Sequence, residues 1–127
     1  RGSGEAARRG FLDCLALARH VGDQFIVAEA LAGLSTQSAL DGRHLDAARQ
    51  AGAAAVINEQ IGAPPWESLA AIHEHALTAT RDALGPEAVA ALEGEGRRLS
   101  ATDAAAGSRR FVRSGAPAVA PDTARQP

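Results

Sequence analysis

Apolar and polar positions along this chain recur at helical rather than alternating intervals. Between Gly4 and Val21, Phe11, Leu15 and Ala18 form one stripe with Leu12 and Cys14 beside it, while Arg8, Arg9 and Arg19 fall outside it. Gly22-Asp23 then ends one helix and caps the next. From about Gln24 to Leu40, Val27, Leu31, Leu34 and Ser38 share a face, and Asp41-Gly42 is the stop signal. A third helix, about His44 to Ile61, carries Ala47, Ala51, Ala54 and Ile61 at the same spacing. Its packing face is nearly all small residues, so it must approach its partner closely. Residues 24–61 therefore read as a helix hairpin turning about Gly42.

Gly62, Pro64 and Pro65 break the third helix. A fourth, about Trp66 to Leu84, points Leu69, Ile72, Ala76, Ala79 and Ala83 inward, and Trp66 is expected to staple its start onto the hairpin. Gly85-Pro86 pairs a C-terminal glycine with a proline at a helix start. A fifth helix, about Glu87 to Arg98, carries Val89 and Leu92. Ser100 with Asp103 forms a capping box for one last short turn. No segment alternates as a strand does. The pattern predicts an all-α fold of about five helices, an α-solenoid fragment of antiparallel hairpins. Its domain covers residues 1–106, with the hairpin at about 24–61 and capping helices at about 65–98. From Gly107 to Pro127, proline and glycine without sustained period predict a disordered tail.

Composition explains why these helices would need neighbours. Hydrophobic residues make up 46% of the 127 positions and aromatics only 3%, because roughly a quarter of the chain is alanine. Burying an alanine methyl gains only about 0.8 kcal/mol. Such helices become stable when each is flanked on two sides, as in a helical array. The chain opens with RGSG and contains no Met, so a fragment of a longer protein, or a scar at its start, is expected.

Charge and cysteine usage narrow the partners. The net charge is −2, too near neutral to point to nucleic acid or membrane. Every basic residue is Arg, and Arg109, Arg110, Arg113 and Arg125 against Asp122 make the tail basic. Phe111 among those arginines could contact nucleic acid, but a solvated tail is the stronger reading. Cys14 is alone, so no internal disulfide can form, which fits a cytoplasmic location. Its place on the stripe predicts a buried thiol.

Candidate chemistry is sparse. In His73-Glu74-His75 the two histidines lie about 200° apart on a helix and cannot ligate one ion; a solvated face is expected there. Ser35 and Ser38 fall inside the helix interface without a turn to expose a nucleophile. GEGRR near Gly94 follows no strand, so its glycines read as helix-end residues rather than a phosphate loop. No catalytic residue, metal ligand or cofactor is expected.

The hairpin resembles a tetratricopeptide repeat. Leu31, Leu34, Ser35, Ser38, Gly42, Ala47, Ala51 and Ala54 stand at the packing and turn positions of that pattern. More broadly, LALARHVGDQFIVAEALAGL, DGRHLDAARQAGAAAVINEQIGAP and ALGPEAVAALEGEGRRLS resemble, in order and spacing, the C-terminal helical end of bacterial signal-transduction ATPases and LuxR-type transcriptional regulators. Val89 and Leu92 stand where that family often has aromatic residues. The resemblance implies a non-catalytic interaction or scaffold module. Its partners would be proteins: an ATPase or DNA-binding domain of the same regulator, or another regulator. In a repeat of this kind Glu29, Ala32, Thr36 and Leu40 would line the concave partner groove. Membrane is not expected as a partner, nor nucleic acid through this segment. The alternative is a small stand-alone helical protein binding a ligand or metal.

Overall fold

A computed structural model describes residues 2–63 and 67–114, with side chains described over 4–63 and 69–107. Among the described residues there are six helices and no strand: α1 (Gly2–Val21), α2 (Gln24–Leu40), α3 (His44–Ile61), α4 (Glu67–Leu84), α5 (Pro86–Arg97) and α6 (Ala101–Ser114). The fold is all-α. Helix α6 runs through 107–114, where proline- and glycine-based reasoning places a disordered tail. Trp66 and residues 115–127 lie outside the described residues, so the expected staple and the rest of the tail do too.

Local chemistry sets the helix ends. Asp23 caps α2 by accepting the Ile26 amide at 3.1 Å, and Ser100 caps α6 by accepting that of Asp103 at 3.1 Å. The turn about Gly42 needs a left-handed residue: its φ is +78°, and the Arg43 amide there bonds back to the Ser38 carbonyl at 2.8 Å.

The α2–α3 hairpin is the centre of the molecule. Helices α1 and α6 touch each other and pack against it, as do α4 and α5. Leu15, Leu31 and Leu34 are almost fully buried at the α1–α2 side, each contributing roughly 1.5–3 kcal/mol. The α2–α3 face combines alanines with hydroxyls. Leu31, Leu34, Ser38, Ala47, Ala51 and Ala54 are all buried. Ser35 donates to the Ala47 carbonyl at 2.7 Å, and Ser38 to the Gln50 Oε1 at 2.9 Å. Gln50 in turn donates to the Ala104 carbonyl of α6 at 3.3 Å. Helix α3 also meets α5 backbone to backbone, where Gly52 faces the Glu93 backbone and Gly96 faces that of Arg49.

Several expected orientations are corrected. Arg8, placed outside the apolar stripe, is 2% exposed and forms an ion pair with Asp41 at the end of α2. With Arg8 inward, the buried face of α1 runs through Arg8, Leu12, Leu15 and Ala18, which leaves Cys14 exposed rather than buried. Ile57, not Ile61, is the buried isoleucine of α3. Helix α4 is rotated from its expected face: Ala76, Leu77 and Thr80 are buried, whereas Leu69, Ile72, Ala79 and Ala83 are exposed. Thr80 anchors that rotation through a 2.9 Å hydrogen bond with His44 Nδ1 of α3.

Candidate functional site: a cleft between α2 and α4

Small side chains leave space where α2, α3, α4 and α5 converge. Ala32 of α2, Ala51, Ala54 and Ala55 of α3, and Ala70 of α4 reach too short a distance to fill it, and a cavity of about 280 Å³ results. Leu69 and Leu77 supply further apolar wall. The polar lining comes from four different helices: Glu29, Asn58, His73 and Glu93.

His73 is held by its neighbours. Its Nδ1 lies 3.3 Å from the Thr36 hydroxyl, which joins α4 to α2 across the cleft. Burial lowers its pKa from the ordinary 6.5, opposed by Glu74 and reinforced by Arg81. The imidazole is thus neutral at pH 7. Asn58 Oδ1 is buried and, among the described residues, has no hydrogen-bond partner. Arg81, on the outer side of α4, is paired with Glu74 at 2.9 Å.

Of the expected groove residues, Glu29 and Ala32 lie in this lining, and Thr36 borders it through His73. Leu40 is elsewhere, 73% exposed at the end of α2. His73 and His75 do diverge, but only His75 lies on a solvated face; His73 turns inward because Ala70 and Leu77, one turn to either side, also face the cleft. That spacing was the signal in the sequence for His73. Asn58 and Glu93 carry no comparable signal, since their role depends on the α3–α5 approach. Among the described residues no group of three His, Cys, Asp or Glu side chains could hold a metal ion, and no helix is long and apolar enough to cross a membrane.

The chain matches no family model, and neither a curated protein nor a solved structure is significantly similar to it.

Proposed function

We propose that this chain is a non-catalytic helical interaction module, built in the manner of a tetratricopeptide array and serving a larger bacterial transcriptional regulator or signalling ATPase. The observation that carries the reading is the pairing of alternate helices. Helix α2 packs on α4 and α3 on α5, so that a second hairpin stacks on the first. Helical arrays are assembled by this step, and they bind partners along the face made by the first helix of each pair. Here that face is the α2–α4 cleft. Leu69 and Ile72, 40% and 56% exposed, stand on α4 beside it as apolar contact surface.

A photo-crosslinking residue at Ile72 tests the proposal in cells that make the full-length protein. Ile72 should yield a discrete adduct with a protein partner, and the exposed Ala90 of α5 should not. Adducts from neither position, or the same adducts from both, would overturn the reading. A second reading, a stand-alone helical protein that binds a small ligand, is favoured by the 280 Å³ of space within the cleft.

A further inference from the structure

Helix α1 carries two apolar lines. One, through Leu12, Leu15 and Ala18, is buried in the core. The other runs through Gly10, Cys14, Leu17 and Val21, all exposed, at steps of four, three and four residues, the spacing by which two helices meet along a seam. Leu17 and Val21 are 64% and 65% exposed. Contiguous apolar surface rimmed by polar groups marks an interaction site, and here the rim is Asp13 and His20, exposed along the same side of the line. Arg9, one turn before Asp13, is paired back to Glu5, which leaves Asp13 without an ion pair among the described residues. The line is distinct from the α2–α4 cleft, whose lining contains no α1 residue.

We propose that this line is covered by the same line of a second copy of the chain, running antiparallel, in a two-fold symmetric dimer. Size complementarity selects that occupant. The line reads small, small, large, large, so a reversed copy sets Val21 against Gly10 and Leu17 against Cys14, and the two-fold axis repeats both contacts. The hollow at Gly10 is open, since a Cβ there would meet nothing within 4 Å. Charge agrees with size. In the same register Asp13 lies beside His20 of the second copy, again twice, and an imidazole N–H can donate to the carboxylate. A parallel copy would set Leu17 and Val21 against themselves, leave a gap at the Gly10 end, and keep Asp13 away from the second His20. Four layers on one helix make a small interface, of the weak and transient class.

Sedimentation velocity of the full chain over a concentration series tests the pairing. The mass should rise from 13.0 kDa towards twice that value, with a dissociation constant on the order of 1–100 µM. Leu17→Glu should stay monomeric throughout with unchanged circular dichroism, because the side chain is exposed. Gly10→Leu separates specific packing from mere stickiness: it adds apolar surface but fills the hollow that receives Val21, and should weaken association at least about tenfold. A short bismaleimide should join Cys14 to Cys14 of the second copy. Val21→Cys in a Cys14→Ser background should not be joined, since antiparallel register holds the two positions about 16 Å apart along the seam. A wild type that remains monomeric, a Leu17→Glu variant that still dimerises, tighter association of Gly10→Leu, or equal crosslinking at the two positions would each overturn the proposal.

Discussion

A methyl group at either glycine of the α3–α5 crossing should force the two helices apart. The Cβ of Gly52→Ala would stand 2.1 Å from the Glu93 carbonyl oxygen, and that of Gly96→Ala 1.9 Å from the Arg49 carbonyl oxygen. Real Cβ atoms do not approach within 3.0 Å, and backbone cannot swing aside as a side chain would, so α5 must lift by about 1 Å. A gap of about 0.5–1 Å forfeits roughly a quarter to a half of the dispersion energy at each contact along the seam. That seam includes Ala48, Val89 and Leu92. Overpacking of this kind costs about 1–3 kcal/mol, and rigid neighbours place these variants near the upper end. Replacing Gly by Ala inside a helix returns about 1 kcal/mol. The net loss is about 2 kcal/mol, or a melting temperature lower by about 8 °C. Gly94→Ala is the control: its Cβ meets nothing within 4 Å, so it should gain about 0.5–1 kcal/mol. Urea unfolding followed by far-ultraviolet circular dichroism reads all three. The double variant should lose less than the sum, since one displacement of α5 relieves both clashes. Gly52→Ala as stable as Gly94→Ala would refute a backbone-to-backbone crossing.

Arg8→Ala leaves Asp41 without its buried partner and should cost about 3 kcal/mol, the lower end for broken buried pairs because Asp41 is 29% exposed; Arg8→Met with Asp41→Asn should recover at least half. Urea midpoints check this, and a loss below about 0.5 kcal/mol for Arg8→Ala would contradict it. Gly42→Val should lose about 1–2 kcal/mol purely from its left-handed backbone, because its Cβ would meet no neighbour; unchanged thermal melting would count against the turn. For His73, the unfolded chain takes up a proton near pH 6.5 that the folded protein accepts only at lower pH. Its contribution to stability is therefore complete above 6.5 and is lost as the pH falls from there through the folded value. Glu29, Glu93, Glu74 and Arg81 surround it in both the wild type and His73→Gln, so the difference between them isolates the imidazole. His73→Gln should lose less stability between about pH 7.5 and about pH 5.5 than the wild type, measured by urea titration at each pH; equal losses would reject the assignment.

The first five helices and their boundaries were legible in the sequence because glycine marks them, whereas α6, expected as one short turn before a disordered tail, runs from Ala101 to Ser114. Gly22, Gly42, Gly62 and Gly85 all adopt positive φ, and each ends or separates helices where its position suggested. The α2–α3 face was legible too, from Leu31, Leu34 and the small residues that follow. Facing was harder wherever alanine dominates. In α4, Leu69 and Ile72 outweigh the alanines in any hydrophobic count, yet the buried side is set by Ala76, Leu77 and Thr80 and by contacts with α2 and α3. Arg8 misled for a related reason. Its partner Asp41 is 33 positions away, a separation that no local period reports, and turning Arg8 inward carried Cys14 out. The cleft was half visible, through Glu29 and Ala32. Its α3, α4 and α5 walls depend on the close approach of Gly52 to Glu93, which single-sequence spacing does not encode.

The buried hydroxyl and amide chain from Ser38 through Gln50 to Ala104 has a consequence for uniqueness. An alanine face is nearly the same surface after sliding by one helical turn: Ala47 gives way to Ala51, and Ala51 to Ala54 or Ala55, with little change in methyl burial. Leucine-rich interfaces resist such slippage by shape, but here α3 presents mostly methyl groups to Leu31 and Leu34 of α2. A one-turn slide would strand Ser38 and Gln50 away from water without partners, at about 1–3 kcal/mol for each polar group. Three polar groups thereby select one alignment among several that the methyl groups alone would leave nearly degenerate.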